Sequence, residues 1–485
     1  MSDKKPSPTT DREAARVRTL HRTTNILKMG LASLVPFLFA YTAYHINTLE
    51  VTGIRNLNCG AGDNQVTNGY VHLENGNLFF SLFEGKDEAK NNGLVVQFEG
   101  GPGATAFDYP FIGAGPCQLT PGGEPSLSGL TPAPYPWTEH ANLLVVDFPI
   151  GAGWSYNTSD QSPASTSDKA AEEFDDFLQV ILKQWPQFQR QPLILSTLSY
   201  GGTTGSHIAS TVLKRNNEAK DQFWPSRVIK QFDQILFGNP YADAMSEIYA
   251  QWDVMCNTSP KGYNETICTH FRDDLTQCLD KLRYIDEVEN TKELRLDAMK
   301  PCVKSPEIRF EAPLYNRYNR KEPRCYPTNL CFWWMGMLTE MMNSREMREW
   351  LGVTHHVERW WYAGPAMFRF ANEADHMQSA YKLLSPVLEA GTRLLAYSGL
   401  EDTMVPYLGT ISWMNRLPNP QLKTFRSSSA QTVSNDFFQG TVINPGSDVT
   451  LIGIEGAGHL VEQTHAALTQ EMIRQAVQGK NYNPV

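Results

Sequence analysis

Leu193-Ile194-Leu195-Ser196-Thr197-Leu198-Ser199-Tyr200-Gly201-Gly202 is the stretch that decides how this chain folds. An apolar run that ends in serine and passes into glycines and threonines reads as a strand, a sharp turn and a helix start. Such a turn pushes the Ser199 hydroxyl out of the backbone, and small neighbours let strand and helix close together. Far downstream stand Asp402, in Tyr397-Ser398-Gly399-Leu400-Glu401-Asp402, and His459, in Gly456-Ala457-Gly458-His459. A serine hydroxyl is a weak nucleophile until an imidazole takes its proton, and the imidazole needs a carboxylate on its other nitrogen. Ser199, His459 and Asp402 are therefore the candidate nucleophile, base and orienting acid.

Around this stretch, strands and helices alternate. Gly69-Tyr70-Val71-His72-Leu73 and Leu78-Phe79-Phe80-Ser81-Leu82-Phe83 read as paired strands. Leu94-Val95-Val96-Gln97-Phe98 and Leu143-Leu144-Val145-Val146-Asp147 are short apolar runs of the buried-strand kind, each leading to a glycine-rich loop. Residues 167–185 read as an amphipathic helix with Ser167 or Asp168 as N-cap. The rhythm breaks over about 240–375 and resumes at Leu394-Leu395-Ala396-Tyr397 and Val449-Thr450-Leu451-Ile452. The expected fold is α/β: an α/β-hydrolase fold with a mostly parallel sheet and a helical insertion at about 240–375, placed as a lid.

Composition limits the function classes. The chain has 485 residues, 41% hydrophobic and 19% charged, with a formal net charge of -10. A large core is affordable, and with no basic block in the body nucleic acid is not an expected partner. The eight cysteines (Cys59, Cys117, Cys256, Cys268, Cys278, Cys302, Cys325, Cys331) all follow the first apolar segment, and none has zinc-type paired spacing. An even count in this position points to disulfides in an oxidising compartment, as do the sequons at Asn157, Asn257 and Asn264. Neither metal nor cofactor is implied.

Residues 1–25 form a polar, basic tail, and 26–46 an apolar stretch interrupted by Lys28. With its flanks the stretch approaches the ~20 residues that span a bilayer, and charges before it keep the N-terminus on the cytoplasmic side. The expectation is a single-pass transmembrane helix at 26–46 with the domain 52–485 in the secretory or vacuolar lumen. The alternatives are a cleaved signal peptide, against which the long tail and the lack of a clean small-x-small site argue, and a mitochondrial inner-membrane anchor with the body facing the intermembrane space.

Taken together, the motifs over about 66–475 resemble the serine carboxypeptidase family. They are Gly69-Tyr70, Gly100-Gly101-Pro102-Gly103, Asp147-Phe148-Pro149-Ile150-Gly151-Ala152-Gly153-Trp154-Ser155-Tyr156, Ser199-Tyr200-Gly201-Gly202, Gly238-Asn239-Pro240, Tyr397-Ser398-Gly399 with Asp402, and Ala457-Gly458-His459. The resemblance implies Ser199 as nucleophile, His459 as base and Asp402 as its partner. It implies an oxyanion hole at the backbone N–H groups of Gly101 and Tyr200. Such donors are worth about 3–4 kcal/mol of barrier each.

The chain departs from the family where the family reads a free C-terminal carboxylate. The Asn that opens the glycine-rich loop is Glu99, ahead of Gly100; the Glu before the nucleophile is Leu198; and the second Glu falls, by ungapped counting, at Gly113. Glu99, Gly100 and Leu198 are accordingly the expected substrate-side positions. An ionised Glu99 at ~4 Å from a substrate carboxylate, at an effective dielectric of ~20, would repel it by a few kcal/mol. Thr197 replaces a glycine and is expected to strain the turn. Trp360-Trp361-Tyr362 and Phe332-Trp333-Trp334 read as core aromatics, and Glu172-Glu173 as a solvated helix face. Two functions fit: a membrane-anchored hydrolase acting on a peptide, ester or amide through an acyl-enzyme, or a catalytically idle accessory subunit of a membrane protein complex.

Overall fold

The computed structural model describes residues 47–60, 62, 64–158, 161–222, 226–302, 314–324, 332–419 and 422–484. The tail and the expected membrane segment, like Cys325 and Cys331, lie outside these residues. No helix among the described residues is long and apolar enough to cross a membrane.

Fifteen strands are present among the described residues: β1 (Thr48–Leu57), β2 (Asn64–Leu73), β3 (Gly76–Phe83), β4 (Leu94–Phe98), β5 (Cys117–Gln118), β6 (Thr131–Pro132), β7 (Asn142–Val146), β8 (Leu193–Leu198), β9 (Gln234–Gly238), β10 (Tyr315–Asn316), β11 (Asn319–Pro323), β12 (Arg393–Gly399), β13 (Gln431–Ser434), β14 (Gln439–Ile443) and β15 (Val449–Ile454). Eleven form one sheet in the order β1-β2-β3-β7-β4-β8-β9-β12-β15-β14-β13. From β7 to β15 all neighbours are parallel. The β2–β3, β3–β7, β14–β15 and β13–β14 pairs are antiparallel. β5–β6 and β10–β11 are separate hairpin pairs.

The central strands are continuously apolar because both faces of the sheet are covered. Successive side chains point to opposite faces. Val95, Leu143, Ile194, Leu236 and Leu395 therefore enter one core, and Leu94, Val96, Leu144, Leu195, Ile235 and Leu394 the other. The helix Ser167–Gln184 covers the second face with Phe174, Phe177, Leu178, Ile181 and Leu182. The helix Ala466–Val477 covers the first with Leu468, Met472 and Ile473.

Two local expectations are corrected. The N-cap of Ser167–Gln184 is Thr166, and its side chain caps nothing. The Ser167 amide instead donates to Asp375, which is brought there from the far end of the insertion. Glu173 is buried rather than solvated: it accepts from the Ala164 amide at 2.8 Å and from Asn75 Nδ2 at 2.5 Å. Burial pushes its carboxyl up to about 7.

Between β9 and β12 the chain builds the helices Ala244–Cys256, Glu265–Glu287, Lys292–Cys302, Trp334–Asn343, Arg345–Leu351 and Pro365–Asn372. Ile248, Leu275, Leu282, Ile285 and Ala298 give this insertion a core of its own. Disulfides Cys256–Cys268 and Cys278–Cys302 cross-link it, and Cys59–Cys117 ties β5 to the segment after β1. No described cysteine is free. Trp334 and Trp360 are fully buried core residues, whereas Trp333 and Trp361, also expected in the core, are exposed. The sequon residues Asn157, Asn257 and Asn264 are all exposed.

Cys278 and Cys302 are 24 positions apart, a loop whose closure in the unfolded chain is worth about 3 kcal/mol. The double variant Cys278→Ser/Cys302→Ser should lower the urea midpoint of the insertion, read by hydrogen exchange of Glu265–Cys302. Exchange in β8 and β9 should be unchanged.

Candidate active site

Parallel register brings the site together. Phe98 pairs with Thr197, Leu198 with Gly238, and Tyr397 with Gly238. The loops after β4, β8, β9 and β12 thus leave the sheet at one edge, beside the point where β7 and β8 lie on opposite sides of β4. In open parallel sheets this is where ligands bind.

Ser199 follows β8 with φ +59°. A non-glycine residue held there costs about 1–3 kcal/mol, so the surroundings must enforce it. The Ser199 amide donates to the Gly238 carbonyl at 2.9 Å, and its carbonyl accepts from Gly202 at 2.9 Å and Tyr241 at 2.8 Å. The helix Gly201–Lys220 begins at once. Thr197 does not disrupt this turn. A Cβ on Gly201 would stand 2.6 Å from Thr197 Cβ, and one on Gly205 3.4 Å from its Cγ2. Glycine at 201 makes the room that the Thr197 side chain takes, whereas at Gly205 the tight neighbour is the Phe237 ring, 2.9 Å from where a Cβ would stand.

The loop after β4 closes over the turn. A Cβ on Gly100 would lie 2.6 Å from both the Leu198 oxygen and the Tyr200 nitrogen, so only glycine fits. Gly101 has φ +105°. The amides of Gly101 and Tyr200 have no acceptor among the described residues. Two unengaged donors beside the serine suit a developing oxyanion, and the positive end of the Gly201–Lys220 helix adds to them.

His459 Nδ1 lies 2.7 Å from Asp402 Oδ2. Asp402 also accepts from Asn239 Nδ2 (2.8 Å), the Met404 amide (2.8 Å) and the Val405 amide (3.2 Å). These donors hold the carboxylate in one orientation toward the imidazole. The His459 amide donates to the Tyr318 carbonyl at 2.7 Å, and the two rings sit 5.4 Å apart. Tyr318 is in the β10–β11 hairpin, which also binds the Asp402 loop: Thr403 N donates to the Arg317 carbonyl, and Arg320 and Lys321 pair with Glu401. The insertion thus buttresses both loops. Among the described residues His459 makes no hydrogen bond to Ser199. Ser199 lines a cavity of about 270 Å³ with Gly101, Pro102, Tyr200, Tyr241, Gln251, Met367, Phe370, Ala371, His376, Met404 and Val405.

Glu99, Gly100 and Leu198 are not among those lining residues. Leu198 belongs to the apolar core, at 1% exposure. Glu99 is buried with Asp108 and Glu462. Asp108 Oδ2 accepts from the Tyr362 hydroxyl at 3.2 Å, and Glu462 Oε1 from Tyr397 at 2.6 Å. Glu99 Oε2 and Glu462 Oε2 are buried with no partner among the described residues. Burial, reinforced by the Asp108 carboxyl, pushes Glu99 well above the usual carboxylate range. Burial raises Asp108 to about 7, against the bonds from Tyr362 and Tyr109, and raises Glu462 as well. The ionised Glu99 expected from the sequence is therefore corrected: in this low-dielectric cluster the neutral form is favoured.

Sequence reading did not assign Asn239, Tyr318, Asp108, Tyr362 or Glu462 to the site. Asn239 lies in the motif Gly238-Asn239-Pro240, and its φ of +38° marks it as a constrained position. Tyr362 lies among the aromatics that read as core, Asp108 and Glu462 follow Gly103 and His459 closely but outside any motif, and Tyr318 comes from the insertion.

Comparison with known proteins agrees with this architecture. A sequence profile described as serine carboxypeptidase matches residues 61–479. Carboxypeptidase Y homolog A of Arthroderma otae is 25% identical over 414 residues, covering 83% of this chain and 72% of the relative. The protein of the same name from Aspergillus clavatus is 24% identical over 422 residues, with the same coverage. Among solved structures, Kex1(delta)p, a prohormone-processing carboxypeptidase from Saccharomyces cerevisiae, superposes with a TM-score of 0.65. It is 17% identical, over 91% of this chain and 95% of that one, a likeness of fold.

The raised carboxyls set a pH dependence of stability. In the folded state Asp108 and Asp147 hold protons to about pH 7, far above their unfolded value of 3.8. Between those values the native state binds more protons, so the stability they contribute is complete at low pH and lost as pH rises through 7. Urea unfolding should show the wild type gaining stability from pH 7.5 to pH 5. In Asp108→Asn this slope should be shallower.

Proposed function

The chain belongs to the serine carboxypeptidase family, and on that premise we propose that it is a hydrolase working through Ser199, His459 and Asp402. Ser199 Oγ attacks a substrate carbonyl while His459 Nε2 takes its proton. Asp402, across the 2.7 Å contact to Nδ1, holds the tautomer and stabilises the imidazolium. The amides of Gly101 and Tyr200 receive the oxyanion. His459 then passes the proton to the leaving group, and water hydrolyses the acyl-enzyme by the reverse sequence. The observation that carries this reading is Ser199 in the left-handed region, held between Gly238, Gly202 and Tyr241 beside two unengaged amides.

The acyl substrate is a peptide, ester or amide. Relatives named as carboxypeptidases favour a peptide. The side chains with which the family reads a free C-terminal carboxylate are replaced by Glu99, Leu198 and Gly113, so the usual recognition is lost. Esters and amide-capped peptides should turn over faster than free-acid peptides. Whatever free-acid turnover exists should fall as pH rises and Glu99 and Asp108 lose their protons.

A second reading, an idle accessory subunit of a membrane complex, is favoured by the missing hydrogen bond between Ser199 and His459. In apo sites such bonds are often long, so the chemistry decides. A fluorophosphonate probe should label the wild type and leave Ser199→Ala unlabelled, with turnover in the variant down roughly 10⁴-fold or more. A folded wild type that takes no label would make the accessory reading the correct one.

We further propose that residues 26–46 anchor the chain in a membrane, with the disulfide-bearing body in the secretory or vacuolar lumen. The exposed sequons Asn157, Asn257 and Asn264 support that side. Endoglycosidase treatment of the protein from its native cell should increase its mobility, and alkaline carbonate should leave it in the membrane pellet. An unglycosylated protein in purified mitochondria would favour the inner-membrane alternative.

A further inference from the structure

The Tyr200 side chain is tied to the far end of the insertion. Its hydroxyl donates to Asp375 Oδ2 at 2.6 Å. The same oxygen accepts from the Ser167 amide (3.0 Å) and hydroxyl (2.6 Å), and Oδ1 accepts from Gln378 Nε2 at 2.5 Å. Asp375 is fully buried, and all its donors come from elements distant in sequence or from its own turn. Four donors around one buried carboxyl group fix its position closely.

The backbone that delivers Asp375 is strained. Ala374, completely buried, sits at φ +47°, a conformation that a non-glycine residue keeps only where its surroundings impose it. The segment just before it, the helix Pro365–Asn372, supplies Met367, Phe370 and Ala371 to the cavity beside Ser199, and His376 follows. One short stretch of chain thus forms a wall of the acyl cavity and grips the side chain of the residue whose amide faces the oxyanion.

We infer that Asp375 is a positioning residue for catalysis: through the Tyr200 hydroxyl it holds the Tyr200 N–H on the oxyanion and couples that donor to the wall of the acyl cavity. This rests on the reading of Ser199 as nucleophile. The amide direction is set by the Tyr200 backbone, which has helix on one side and the Ser199 turn on the other. Its long side chain is the lever by which the insertion fixes it. Sub-ångström displacement of a preorganised donor is enough to lose much of its effect.

The test uses the full chain with Tyr200→Phe, which removes the hydroxyl and leaves the Ser167 and Gln378 bonds to Asp375 in place. The rate of labelling by a fluorophosphonate should fall about tenfold. On a p-nitrophenyl ester, kcat should fall by a similar factor, with KM changed by no more than about twofold. Asp375→Ala should show the same kinetic defect, and Asp375→Asn, which keeps an acceptor for Tyr200, should recover most of the rate. Circular dichroism melts establish that each variant is folded. If folded Tyr200→Phe and Asp375→Ala label at the wild-type rate, Asp375 only caps the helix Ser167–Gln184 and the inference falls. A wild type that takes no probe overturns both the nucleophile reading and this inference.

Discussion

One strained residue organises the site. Ser199 is held in the left-handed region by hydrogen bonds from its own helix start and from the β9 loop. The turn closes only because Gly100 and Gly201 present no side chain to it. Everything else at the site is placed relative to this turn: the loop after β4 approaches through Gly100, the helix leaves through Gly201, and Asn239 reaches from β9 to Asp402. The strain is tolerable because the parallel strands around it are buried on both faces and cannot shift separately.

The insertion is part of the site as well as a cover. Its hairpin at Tyr315–Pro323 binds the loops carrying Asp402 and His459, and its last helix supplies apolar residues to the cavity. Asp375 bonds both the helix Ser167–Gln184 and Tyr200. The elements after β8, β9, β12 and β15 thus share partners from a segment with its own core and its own disulfides. A family fold can change substrate through such a segment while the sheet stays the same.

The carboxyl cluster of Glu99, Asp108 and Glu462 shows how environment redefines a residue. In water each would be an anion at neutral pH. Packed together out of solvent, next to Tyr362 and Tyr397, they favour protons. A substitution that looks like an added negative charge beside the glycine-rich loop after β4 is, in place, a carboxyl whose environment favours the neutral form.

The sequence by itself determined the α/β alternation, the strands at 94–98 and 394–397, the helix after Ser196-Thr197-Leu198-Ser199, and the order of Ser199, Asp402 and His459. These rest on local signals: apolar runs of strand length, glycines where the backbone must turn or approach closely, and short motifs that stay contiguous. Only the tertiary structure decided which carboxyl caps the helix at Ser167, that Thr197 fits, that Glu173 is buried, and that Glu99 meets Asp108 and Glu462. Each of these depends on residues brought together from distant segments, Asp375 to Ser167 across 208 positions among them. Burial and partnership are properties of those meetings, and no periodicity along the chain encodes them.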